Sequence, residues 1–223
     1  MGELLAILEK YNHLLLNGTL ETLYMVSVSL VIAVIFGIPL GVLTTITRKG
    51  HILTNNVLNK ILDGIINIGR SIPFIILMVA IIPLTRALVG TSIGTTAAIV
   101  PLAVAAIPFV ARVVDNALLE IDPGIIEAAR SMGATPLQII VKVLLPEALP
   151  GLILGVTLTA INLIGYSAMA GAIGGGGLGD IAVRYGYQRF RIEVMVQTVI
   201  ILVLLVQLIQ WAGNKIASHF DHR

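Results

Sequence analysis

Four stretches of this chain contain no acidic or basic residue: between Glu21 and Arg48, Arg86 and Arg112, Glu147 and Asp180, and Glu193 and Lys215. Each exceeds the roughly 20 residues that a helix needs to cross about 30 Å of hydrocarbon. Hydrocarbon offers no hydrogen bonds to bare backbone, so such a run must satisfy its own N–H and C=O groups as a helix. The chain is therefore read as all-α and membrane-embedded. A fifth span is expected around IINIGRSIPFIILMVAIIPLT, where the uncharged part from Ser71 to Thr85 is short and Arg70 must reach an interface. The expected spans are 20–46, 64–85, 93–114, 150–172 and 194–214, within one transmembrane domain covering 1–223.

Composition narrows the function classes. With 57% apolar and 12% charged residues, the chain lies outside the soluble range. Its 14 basic residues are scattered between apolar blocks, which excludes the continuous basic surface that nucleic acid requires. There is no cysteine, hence no disulfide, thiol nucleophile or Cys-ligated metal.

Orientation is read from the flanking cations. Lys10, beside Glu3 and Glu9, precedes the first span, whereas Arg48, Lys49 and Lys60 follow it, so its C-terminal end is expected in the cytoplasm and the N-terminus outside. Five crossings then place the 48–63 connection, the 112–147 segment and the tail with Lys215 and Arg223 inside. The 171–193 connection, with Arg184, Arg189 and Arg191, falls outside, against the positive-inside bias. No basic region precedes a short apolar core at the start, so the first span is expected to be an uncleaved anchor.

The segment IIEAARSMGATPLQIIVKVLLPEALPG, residues 125 to 151, departs from the lipid-grade pattern. Asp122 and Pro123 are a helix N-cap and first turn, and Gly133 permits a left-handed C-terminal residue. Thr135, Pro136 and Gln138 form a second start, a capping box, whose helix is expected to end at Pro146. Ile125, Ile126 and Ala129 share one side of the first helix, with Glu127 and Arg130 on another, a pattern suited to a partner contact that stays partly wet. The residues by themselves leave two readings open, a solvated loop with helical content or a docking surface.

Glu127-Ala128-Ala129, then Gly133, then Val143, Leu145 and Pro146 resemble the signature of bacterial ABC-importer permeases, with Val143 in place of isoleucine. Longer stretches, among them PFVARVVDNALLEI, KVLLPEALPGL and GYSAMAGAIGGGGLGD, resemble the permeases of D- and L-methionine importers over about residues 20 to 215. The resemblance implies a five-span permease of the bacterial inner membrane that works as a homodimer. It also implies two ABC ATPase subunits, an extracytoplasmic methionine-binding lipoprotein, and a pair of cytoplasmic coupling helices at about 123–146 that dock on the ATPase. Glu127, Ala128, Ala129, Arg130, Met132 and Gly133 are the ATPase-coupling residues it implies. None of the five lysines follows a glycine, so no Walker A motif exists. ATP and magnesium are expected on the partner ATPase, with no catalytic residue, cofactor or metal on this chain.

Gly174, Gly176 and Gly179 match a dinucleotide-binding spacing, but they follow a membrane span instead of a strand, which favours a turn with positive φ. Gly37 with Gly41, and Gly151 with Gly155, suit close helix approach. The histidines His13, His51, His219 and His222 all lie outside the spans, leaving Ser167 without an intramembrane base and disfavouring an intramembrane protease. The four charge-free spans hold no carboxylate, which disfavours an ion-coupled carrier or channel acting alone. Asn162, Tyr166, Ser167 and Met169 are expected along one face of the fourth span, either lining the translocation path or serving as interhelical packing.

Overall fold

The computed structural model describes residues 2–220, with side chains from residue 11 onward. Glu3, Glu9 and Lys10, whose charges enter the orientation reading, therefore lie outside the described side chains, and His222 and Arg223 lie outside the described residues. All regular elements among the described residues are helical. They are α1 (Gly2–Ile46), α2 (Asn56–Ser71), α3 (Phe74–Ala80), α4 (Ile82–Val89), α5 (Thr95–Leu119), α6 (Pro123–Ser131), α7 (Pro136–Ile139), α8 (Leu145–Glu147), α9 (Leu149–Ala172), α10 (Gly177–Ile181) and α11 (Ile192–Phe220). Two π-helical turns, Ile140–Leu144 and Ala182–Tyr187, follow α7 and α10.

Among the described residues, four helices are long and apolar enough to cross a membrane: Tyr11–Ile46, α5, α9 and α11. Each carries most of one charge-free run, although the second run begins in α4 and the third continues past α9 through the glycine turn into α10. The stretch 64–85, expected as one continuous span, is instead a broken series: α2 stops at Ser71, Pro73 starts α3, and α4 begins after Ile81 with Pro83 in its first turn. Each proline lacks a donor and crowds the preceding turn, so a single straight helix cannot form. Among the described residues there are thus four such helices, or five if the bent pair of α2 and α3 is one span.

Two compact units emerge. In the first, built from residues 1–31, 73–105 and 160–209, Leu15, Leu178, Ile181 and Val194 form a buried cluster covered by Tyr11 and Tyr185. Of the three glycines singled out, Gly174 and Gly176 have positive φ, as the turn reading requires, and Gly177 does too, whereas Gly179 lies within α10. The turn is tied to α1: Gly177 N–H donates to Glu21 Oε2 at 2.7 Å and Leu178 N–H donates to Thr22 Oγ1 at 2.9 Å. The acid that bounds the first charge-free run is thereby used as a hydrogen-bond acceptor within the chain.

The second unit comprises, among the described residues, 32–72, 106–159 and 210–220. A Cβ at Gly37 would stand 2.7 Å from Val110 Cβ, and one at Gly41 would stand 2.5 Å from the Ala111 carbonyl oxygen, both too close for any side chain. Gly155 packs against the Val113 side chain in the same way, and Gly151 faces Ala117. Both glycine pairs therefore allow their helices to approach α5, the packing role expected of small residues in membrane helices. By contrast, the most apolar stretch of α11 is only 11% buried. Its exposed Val203, Leu204 and Leu208 face lipid or another chain.

Candidate functional site

The segment after α5 folds as a capped elbow. Asp122 Oδ1 accepts from Gly124 N–H at 2.7 Å and Pro123 begins α6. The helix ends where Gly133, at φ +80°, donates its N–H to the Arg130 carbonyl while Ala134 N–H reaches the Ala129 carbonyl. Both arms of the expected capping box are present: Gln138 N–H donates to Thr135 Oγ1, and Thr135 N–H donates to Gln138 Oε1 at 2.8 Å. Because the end of one helix and the start of the next are both hydrogen-bonded, the corner is fixed by backbone geometry.

Pro146 does not end the second helix, contrary to expectation. The π turn at Ile140–Leu144 widens the helix just ahead of it, with Leu145 N–H bonding to the Ile140 carbonyl. That extra width accommodates the proline ring against the preceding turn, so helix continues through Glu147 and, after a turn at Ala148, into α9.

Of the residues singled out on the elbow, only Ala129 is buried, at 4% exposure. Glu127, Ala128, Arg130 and Gly133 are exposed, and Met132 is 81% exposed at the corner. Leu137, across the bend, is 70% exposed. Two large apolar side chains presented beside Glu127 and Arg130 make a mixed surface of the kind that forms protein contacts.

Behind the elbow lies a polar cluster that the sequence reading missed. Asp115, on α5, has no exposed surface, yet Arg48 Nη2 donates to it at 3.0 Å, Arg112 Nη1 at 3.1 Å and Thr45 Oγ1 at 2.9 Å. Arg112 Nη2 also reaches Asp63 at 2.6 Å and Asn67 at 2.9 Å on α2. One carboxylate and one guanidinium thus join α1, α2 and α5. The signal was the spacing of Arg112 to Asp115 and of Asp63 to Asn67, each one turn apart; what could not be read was that α1 and α2 converge on them.

Between the turn that follows α1 and the start of α6 is a cleft of about 240 Å³, lined among others by Arg48, Lys49, His51, Ile126, Glu127 and Arg130. Burial holds the His51 imidazole below its ordinary pKa, helped by the positive charges of Arg130 and Arg48 and opposed by Asp115.

The expected path residues of α9 divide. Asn162, Tyr166 and Met169 fall within one side of the helix, but Ser167 is turned about 100° from Tyr166 by the helical repeat. It is buried, and its hydroxyl donates to the Ile164 carbonyl at 2.8 Å. Ser167 therefore packs into the protein, apart from the other three. Tyr166 is half-buried and stacks on Phe74, with ring centres 4.6 Å apart and planes 3° from parallel. One turn further along each helix, Met78 and Ala170 line a cavity of about 260 Å³ with Thr85, Ser92 and Gly94. Met169 is 47% exposed.

Comparison with known proteins adds independent information. Residues 37–222 match the family described as binding-protein-dependent transport system inner membrane component. A probable D-methionine transport system permease protein of Vibrio cholerae serotype O1 is 57% identical over 210 residues, covering 94% of this chain and 93% of that protein. The D-methionine transport system permease protein of Escherichia coli strain K12 is 60% identical over 158 residues, covering 71% and 73%. Among solved structures, a chain of the MetNI methionine ABC transporter in inward-facing conformations superposes with a TM-score of 0.94 at 55% identity, covering 96% of this chain and 99% of that one.

Proposed function

Since this chain belongs to the family of binding-protein-dependent transport system inner membrane components, we propose that it is the permease subunit of an ATP-driven importer, forming the translocation path for L- and D-methionine. The observation that carries the substrate assignment is similarity to methionine-transport permeases along almost the whole chain, in sequence and in fold alike. In this reading the permease is a homodimer in the bacterial inner membrane, with N-termini outside and C-termini in the cytoplasm. Two ABC ATPase subunits bind ATP and magnesium, and an extracytoplasmic methionine-binding lipoprotein delivers substrate.

The α6–α7 elbow is the surface that meets the ATPase, through Glu127, Ala128, Arg130, Met132 and Gly133, while Ala129 seats the helix on its own chain. Two capped helices meeting at a left-handed glycine make a stiff lever, and a stiff element transmits displacement that a loose loop would absorb. Asn162, Tyr166 and Met169 line the path. The test is uptake of radiolabelled methionine by proteoliposomes holding this chain with its ATPase. ATP-dependent accumulation that unlabelled methionine competes away supports the reading; accumulation of another solute with no methionine uptake would replace the substrate assignment.

A further inference from the structure

We propose that the cleft between the turn after α1 and the start of α6 is a receptor for a carboxylate side chain, an Asp or Glu of the ATPase subunit docking on the elbow. The inference rests on the proposed reading of that elbow and adds the chemistry of a second contact beside it.

Three side chains of fixed positive charge, Arg48, Lys49 and Arg130, surround this cleft, against a single lining carboxylate, Glu127. Arg48 is engaged by Asp115 through Nη2, but its Nε is sealed from solvent without a hydrogen-bond partner, as is Nδ1 of His51. Both atoms belong to residues that line the cleft. A buried polar atom left without a partner is destabilising, so Arg48 gains when its partly exposed guanidinium turns toward an arriving acceptor oxygen and brings Nε within reach of it. Lys49 and Arg130 are exposed, and neither forms an ion pair among the described residues.

Leu118, Ile121, Pro123 and Ile126 make other parts of the lining apolar, and apolar lining keeps water from a bound carboxylate, which strengthens its attraction to the guanidinium groups. The placement also has a mechanical consequence. An anion seated here touches α6 through Arg130 and the α1 turn through Arg48, whose partner Asp115 lies on α5. Docking would thereby grip the elbow and the helical core together, where contact on the exposed face of α6 alone would move only the elbow.

The experiment uses the complex of this chain with its ATPase in detergent. Lys49→Glu and Arg130→Glu are combined, with Lys60→Glu, an exposed cation of α2 outside the cleft, as the charge-matched control. The double variant should associate on the order of tenfold more weakly and lose most of the salt dependence of association, whereas K60E matches the parent. A second readout does not depend on the variants. In permease labelled at histidine, docking of the ATPase should raise the His51 titration midpoint, because an incoming carboxylate stabilises the imidazolium, whereas an apolar contact would lower it further. Equal weakening by K60E, or a His51 midpoint that stays or falls on docking, overturns the proposal while leaving the elbow reading standing; equal association for parent and double variant overturns the proposal and removes Arg130 from the elbow contact as well. Failure of the unmodified chain to bind the ATPase at all removes both.

Discussion

Arg48 Nη2 donates to Asp115 Oδ2 across 3.0 Å, and the carboxylate it reaches has no exposed surface while the arginine remains 40% exposed. The pair fastens the turn after α1 to α5, and Arg112 extends it to Asp63 on α2. Truncating Asp115 to alanine leaves two guanidinium groups beside an empty site. Because Arg48 is partly exposed and Arg112 keeps Asp63, the loss is that of hydrogen bonds to a charged group, about 1.5–3 kcal/mol. Asp115→Ala should therefore lower the Tm of the purified chain and speed amide exchange in residues 46–51, and an unchanged Tm would show that the cluster contributes little.

Gly133 has φ +80° with nothing within 4 Å of the position a Cβ would take. Substitution is opposed by backbone conformation alone, worth roughly 1–2 kcal/mol for a left-handed residue and more for a β-branched one. Gly133→Val, like Glu127→Lys, should leave insertion in the membrane intact and abolish substrate-stimulated ATP hydrolysis and uptake together. Wild-type values of both activities in these variants would return the elbow to the status of an ordinary loop.

The capping box offers a graded version of the same test. Thr135→Ala removes the acceptor for Gln138 N–H and should cost about 1 kcal/mol of local helix stability. Faster exchange at Gln138 and partial loss of ATPase stimulation are expected, with Thr135→Ser restoring both. If alanine and serine variants couple equally well, rigidity at this corner is not what transmits the movement.

On α9, Tyr166→Ala combined with Met169→Ala should change the rate or leak of transport while assembly is retained. Ser167→Ala, which removes only a hydroxyl bonded to its own helix, should transport as the parent does. Transport indistinguishable from the parent in the first variant would take Tyr166 and Met169 out of the path.

His51 makes a prediction about pH. Its folded-state pKa is lowered from 6.5, chiefly by burial and next by Arg130. The folded form thus holds fewer protons than the unfolded one, so its contribution to stability is fully present above 6.5 and is lost as pH falls through 6.5 towards the folded value. Arg130→Gln should move the His51 midpoint upward in a histidine-labelled NMR titration. A midpoint indifferent to this change would show that burial alone sets it.

Much of the molecule follows from local rules acting within one segment. Charge-free runs longer than a bilayer is thick must be helices, because no other conformation satisfies the backbone in hydrocarbon. The caps at Asp122 and Thr135 and the left-handed Gly133 were legible for the same reason: each depends on residues only a few positions apart. The break at Pro73 and the passage of helix through Pro146 depended on how neighbouring turns adjusted to a ring, where α3 restarts in one case and a π turn makes room in the other. Least legible were contacts between residues far apart in sequence. Ser167, next to Tyr166 in sequence, is turned about 100° from it by the helical repeat and is buried. Nothing local marks Asp115 as the partner of Arg48, 67 positions away. The sequence by itself determined the four long charge-free helices, the caps of the elbow and the family; the tertiary structure alone decided where helices break or pass through proline, which charges meet and which face of each helix is covered, because these depend on packing that no local pattern encodes.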